Sequence, residues 1–229
     1  MKCDNRYLDS EHMDVQRRDY HRYPVGVCVD GLMAGFKNQV TTMSTFIEKL
    51  YTNRLMLRRI QQADLALLVQ WSTSQESCGN FLSPECFELH QLQQKLDSGV
   101  MWNPVEKFFI IERRDNTPLG TIHYWQPPGK KDTVQVAVKI ADSSERNKGY
   151  GTEAQKFLLM YLFDKIGVQY VEMYTDIDNV AQQSCLRKLG FRLVESLTYD
   201  DGNIKRTGNL YRLDLSRYSE EPIYRFHYE

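Results

Sequence analysis

The chain has 229 residues, with 29 Lys and Arg against 30 Asp and Glu and a formal net charge of -1, so no chain-wide positive field draws in nucleic acid or anionic lipid. Hydrophobic residues make up 41%, aromatic residues 12% and charged residues 26%, which argues against disorder as the default and suits a soluble domain with a sizeable core. The five cysteines are odd in number and show no C-x-x-C spacing and no nearby His pair; they read as free thiols in a reducing cytosol, and no metal is expected.

No charged leader precedes an apolar segment, and no apolar run of about 18 residues occurs. The nearest stretch, Val25 to Phe36, is interrupted by Gly26, Asp30, Gly31 and Gly35. The expectation is a cytoplasmic protein without membrane or nucleic-acid partners.

Residues 1–50 differ in composition from the rest and form an N-terminal extension, either a hairpin turning at Asp30-Gly31 or a loosely ordered arm. From Arg54, Leu55, Leu57 and Ile60 sit among polar residues as in a half-buried strand. Leu65, Leu68 and Trp71 then recur at helical intervals, with Asp64 at the favourable end of the helix dipole. Ser83-Pro84-Glu85 predicts a second helix start, continued by Phe87, Leu89, Leu92 and Leu96 toward Gly99.

Lys107 to Glu112 and Leu119 to Trp125 flank a turn-forming cluster and predict a hairpin. Val134, Val136, Val138 and Ile140 alternate with Gln135, Ala137 and Lys139 as one strand. Ala154, Phe157, Leu158, Tyr161 and Leu162 form the stripe of a sheet-covering helix. A strand over Tyr170–Tyr174, a helix over Val180–Leu189 stopped by Gly190, a strand over Phe191–Ser196 and a hairpin through Asp201-Gly202 into Leu210–Leu215 complete the pattern. The order predicts a mixed α/β (α+β) domain around a largely antiparallel central sheet, flanked by helices, with one parallel crossover.

Arg146-Asn147-Lys148-Gly149-Tyr150-Gly151-Thr152 lies between the alternating strand and the striped helix. Backbone N–H groups at a helix start, two glycines that let an anion approach and two basic residues make an anion site. The basic residues weigh against a ligand-free turn. Gly149 to Ala154 also fits G-x-G-x-x-A, with Asp176 at a tolerable distance for a ribose. Eight residues separate Ile140 from Gly149, however, and a dinucleotide fingerprint needs its first glycine at the strand tip. No Walker loop is present.

Arg146-x-x-Gly149-x-Gly151 after an alternating strand resembles the coenzyme A signature of the GNAT superfamily. Asn179 through Ser184 to Lys188-Leu189-Gly190-Phe191 resembles the segment that follows it there, and Thr52-Asn53-Arg54-Leu55-x-Leu57-Arg58 resembles the opening strand of the ribosomal-protein (Rim-type) N-acetyltransferase branch. The resemblance covers roughly residues 52 to 216. It sets an acetyltransferase domain at 51–216, apart from the extension at 1–50 and an aromatic tail at 217–229.

The resemblance implies acetyl-CoA as cosubstrate, held where two parallel strands, Val134–Ile140 and Tyr170–Tyr174, splay apart. Arg146, Asn147, Lys148, Gly149, Tyr150, Gly151 and Thr152 would hold the diphosphate, joined by Asn179. Val138, Lys139 and Ile140 would meet the pantetheine arm, and an N–H near Ile140 would serve the oxyanion. A neutral primary amine would attack the thioester directly. The family's tyrosine acid corresponds to Leu186, which leaves that role open; Ser184 is a substitute, or a helical serine bonding its own backbone.

Glu172, Asp176, Glu195 and His123 are candidate bases, with Glu172 placed first. His123, Tyr124 and Trp125 are candidates for contacting the acceptor, although aromatics at such positions also build cores. Acceptors left open are a protein N-terminus and a small amine such as a polyamine or aminoglycoside. A non-catalytic acetyl-CoA sensor and a homodimeric assembly also remain open.

Overall fold

The computed structural model describes residues 49–82, 84–201 and 204–225. The Asp30-Gly31 turn, Ser83 and Gly202 lie outside them. Among the described residues the strands are β1 Lys49–Tyr51, β2 Leu55–Arg59, β3 Glu106–Arg113, β4 Pro118–Trp125, β5 Thr133–Ile140, β6 Tyr170–Asp176, β7 Arg192–Asp201 and β8 Ile204–Asp214. They form one sheet in the order β1-β2-β3-β4-β5-β6-β8-β7. Every neighbouring pair is antiparallel except β5 and β6, the crossover expected from the intervening helix.

The helices are α1 Leu65–Thr73, α2 Gln75–Cys78, α3 Leu89–Asp97, α4 Tyr150–Tyr161, α5 Val180–Lys188 and α6 Leu215–Glu220. Period-two alternation decides which side of the sheet each strand residue serves. Val134, Val136, Val171 and Met173 pack with Leu158 of α4, Leu162 just after it and Leu186 of α5 in the larger core. Ile60, Leu65, Leu68, Trp71, Leu92 and Ile110 form a smaller core under α1 and α3. Lys139 points to this second side, where its Nζ donates to the Trp71 carbonyl at 2.8 Å.

One helix start differs from its prediction. Residues 84–88 are irregular, and α3 begins only at Leu89, with Glu88 in the position before it making no side-chain cap. The N–H of Glu85 is drawn to the Ser72 carbonyl at 3.0 Å, the N–H of Phe87 to the Ser72 hydroxyl at 3.2 Å, and Cys86 takes a φ of 49°. These bonds to α1 outcompete the local helix signal of proline at the first turn.

β1 was not marked by the sequence pattern and adds an edge to the sheet. Tyr218 and Tyr224, beyond residue 216, are part of the core on the α4 side. Tyr218 stacks on Phe163 at 4.5 Å and meets Tyr224 at 4.6 Å, while the Tyr224 hydroxyl donates to the Leu189 carbonyl at 2.7 Å. Among the described residues no helix is long and apolar enough to cross a membrane.

Candidate active site

β5 and β6 pair only over Thr133–Tyr170, Val134–Val171 and Gln135–Glu172. Beyond that point β5 stays with β4 as far as Ile140 opposite Gly120, and β6 stays with β8 as far as Asp176 opposite Gly208. The two strands therefore part, and the facing backbone groups of residues 136–140 and 173–176 have no strand partner across the gap. Such groups need hydrogen bonds from elsewhere. Val138, Lys139 and Ile140 all lie on this open stretch.

The chain leaving β5 makes a short 3-10 turn at Ser143–Glu145, capped by Asp142, and enters α4 at Tyr150 with Gly149 as N-cap. Asn147 and Gly149 are both left-handed, with φ 61° and 82°. Such conformations turn successive N–H groups toward one side, as in an anion-binding nest. Among the described residues, the N–H groups of residues 147–152 have no hydrogen-bond acceptor; the next one, of Glu153, is taken by the Gly149 carbonyl. Asn147, Lys148 and Gly149 are exposed. At Gly151 an added Cβ would meet only ordinary contacts, Ile140 Cγ1 at 3.8 Å and Gln155 Nε2 at 3.9 Å. Open amides on the positive end of a twelve-residue helix suit a diphosphate.

The basic side chains divide unequally. Lys148 pairs with Glu145 at 3.1 Å and stays half exposed. The Arg146 side chain, expected at the anion, instead reaches carbonyl oxygens: Nε donates to Ile140 at 2.9 Å and Nη2 to Glu76 at 2.7 Å and Ser77 at 2.9 Å. Arg54 supplies a charge at the loop from the far side of the sequence. Its Nη1 donates to the Lys148 carbonyl at 3.1 Å, its Nε pairs with Glu153 at 2.6 Å, and its guanidinium lies over the Tyr150 ring at 4.6 Å. Burial raises the Glu153 carboxyl, but hydrogen bonds from Thr52 and Arg54 outweigh it and hold the group below its ordinary range.

Glu172 does not have the surroundings of a base. It is completely buried, with Lys130 at 2.9 Å on one oxygen and Arg212 at 2.5 Å on the other. Burial pushes its carboxyl up, yet the hydrogen bonds from Arg212 and Lys130 prevail and lower it. A carboxylate so occupied has little basicity to offer. Asp176 pairs with Arg206 at 3.5 Å and accepts the Asp178 N–H at 2.8 Å.

Tyr124 departs from its expected place at the acceptor. It is 1% exposed and packs in the larger core, where burial pushes its hydroxyl well above the ordinary tyrosine range. Its strand neighbours face the other way: His123 stacks between Phe108 at 4.1 Å and Trp125 at 4.7 Å. Ser184 is half-buried on α5, and Leu186 is fully buried without any polar group. Asn179 caps α5, its side chain accepting the Gln182 N–H at 3.1 Å.

A polar seam between α4 and α5 escaped the sequence reading. Cys185 Sγ lies 3.1 Å from Thr152 Oγ1 and 3.2 Å from Gln155 Nε2, and Gln182 Nε2 donates to Gln155 Oε1 at 2.8 Å. Burial raises the Cys185 thiol more than these bonds lower it, which disfavours the nucleophilic thiolate. Arg54 and this seam join residues on different elements, and no local spacing announces them.

Residues 54–192 match the model of the acetyltransferase (GNAT) domain. An uncharacterized N-acetyltransferase p20 of Bacillus licheniformis is 22% identical over 149 residues, covering 64% of this chain and 83% of its own. An N-acetyltransferase 9-like protein of Nematostella vectensis is 24% identical over 171 residues, covering 69% and 84%. Among solved structures, RimL, a ribosomal L7/L12 alpha-N-protein acetyltransferase in complex with coenzyme A, superposes with a TM-score of 0.65 at 13% identity, over 74% of this chain and 99% of its own. A chimera of spermidine N-acetyltransferase SpeG from Vibrio cholerae gives 0.64 at 14%, over 72% and 98%.

Proposed function

Because the chain belongs to the GNAT acetyltransferase family, acetyl-CoA-dependent acyltransferases, we propose that it transfers acetyl to the α-amine of a protein or peptide N-terminus by direct attack. The observation that carries the cofactor site is the row of amides at residues 147–152 that have no acceptor among the described residues, beside the gap between β5 and β6. When bound, acetyl-CoA supplies the activated acetyl group as a thioester.

The amides of residues 147–152 receive the diphosphate, with Arg54 and Lys148 adding charge at the rim. The open edge of β5 at Val138 and Ile140 would hydrogen-bond the pantetheine arm, whereas the Lys139 carbonyl faces Gly120 on β4. An N–H near Ile140 would be the donor for negative charge on the thioester carbonyl oxygen. Ser184 is the proton donor proposed for the departing thiolate, since Leu186 offers no hydroxyl.

The acceptor class follows from charge. Both carboxylates on the cleft strand, Glu172 and Asp176, are committed to Arg and Lys partners, so neither is free to hold a polycation. An α-amine near pKa 8 is roughly a tenth neutral at pH 7, whereas a lysine-like amine is neutral in only about one part in two thousand. With Glu172 occupied, water carries the proton away, and the α-amine asks least of such a site.

The test is free-thiol release from acetyl-CoA with a panel of short peptides bearing free N-termini, alongside the same peptides N-blocked, spermidine and an aminoglycoside. Release with free but not blocked peptides is expected. Faster release with spermidine or the aminoglycoside would reverse the acceptor assignment. Tight coenzyme A binding with no release from any amine would instead identify a sensor.

A further inference from the structure

The side chain of Arg146 is the least expected element of the cofactor loop. Three of its five N–H donors go to carbonyl oxygens on two different segments, Ile140 at the end of β5 and Glu76 and Ser77 in α2. The Ala141 carbonyl lies within 3.4 Å of the same Nη2. Its other terminal nitrogen lies against Gly79, where an added Cβ would come within 3.1 Å.

α2 has four residues. A helix that short cannot hold itself, and its last carbonyls have no partner within it. Arg146 supplies that partner as a planar fork, and the Ser143 hydroxyl adds a second tie by donating to the Glu76 carboxylate. α2 follows α1 directly, and α1 is tied to β5 by the Lys139 bond to Trp71. The helical wall on the side of the sheet away from α4 is thus fastened to the loop whose open amides begin at the very next residue, Asn147.

We propose that Arg146 is a positioning residue rather than a diphosphate ligand: it locks α2 to the cofactor loop, so that occupation of the amides at 147–152 orders α2. The inference rests on the acetyl-transfer reading above for its functional meaning, while the lock itself is testable without any acceptor. Lysine cannot replace the fork, because one compact ammonium cannot span carbonyls on two segments.

The experiment uses the full chain and coenzyme A as probe. In the wild type, coenzyme A slows amide exchange at Cys78 and Gly79 by about threefold or more, although its diphosphate sits at residues 147–152. In Arg146→Lys and Arg146→Gln, exchange at these amides rises about tenfold and no longer responds to coenzyme A. Coenzyme A affinity by calorimetry changes by less than about threefold.

Loss of coenzyme A affinity beyond about tenfold in Arg146→Lys would make the side chain a phosphate ligand and overturn the proposal. So would wild-type exchange at Cys78 and Gly79 that ignores coenzyme A, an observation that needs no variant to fold. If the wild type failed to bind coenzyme A, the acetyl-transfer reading would fall, and the exchange rates of the variants would still decide whether Arg146 holds α2.

Discussion

Replacing Gly120 with alanine tests the geometry that brings β5 to the cofactor. Gly120 opposes Ile140 across β4 and β5, and an added Cβ would lie 1.9 Å from the Lys139 carbonyl oxygen, 2.9 Å from its carbon and 3.0 Å from Ile140 Cα. All three are backbone atoms, so no rotamer change relieves the clash. The methyl is about 1.5 Å short of ordinary contact, and strands spaced about 4.7–4.9 Å cannot absorb that without local unpairing. Overpacking costs about 1–3 kcal/mol. Each ladder bond lost nearby, such as the one from the Ala141 N–H to Leu119 at 2.8 Å, adds about 1 kcal/mol. A total of about 3–5 kcal/mol lowers Tm by about 6–20 °C in a domain of this size. Urea unfolding should show a reduced midpoint at unchanged slope, and calorimetry below the new transition should show weakened coenzyme A binding, because residues 138–140 are displaced. A loss below about 0.5 kcal/mol would refute the close approach of the two strands.

Three further outcomes follow from the same structure. Gly149→Val places a β-branched residue at a φ of 82° and covers the amide row; coenzyme A binding should be lost while circular dichroism keeps its folded signature, and unchanged affinity in calorimetry would reject the site. Glu172 has its folded carboxyl pKa held below the ordinary value of 4.5, so its stabilisation is complete above that value and disappears as pH falls through the lowered folded pKa. Glu172→Gln should therefore lower stability at pH 7 and flatten the acid limb of a stability profile, and an unaltered acid limb would contradict the ion-pair assignment. The Thr175 hydroxyl is buried and has no hydrogen-bond partner among the described residues, so Thr175→Val should leave urea stability unchanged or raise it by up to about 1 kcal/mol; a clear loss would mean that the hydroxyl has a partner in the protein.

What the sequence determined by itself were the features written in local patterns. Val134 to Ile140 alternate because one strand has two faces, Ala154 to Leu162 recur because one helix has a stripe, and Gly149 and Gly151 with their basic neighbours mark a helix start open to an anion. Each follows from periodicity or backbone freedom within a few residues. Only the tertiary structure decided where side chains with several competing partners end up. Arg146 carries the same charge whether it meets a diphosphate or the carbonyls of Glu76 and Ser77, and Glu172 is the same carboxylate as a base or locked between Lys130 and Arg212. The delayed start of α3 and the polar seam at Cys185 are of this kind as well. Hydrogen bonds and ion pairs between distant segments depend on distances that exist only once the sheet has formed, which is why residues far apart in the chain, Arg54 and Lys148 among them, gave no sign of their meeting.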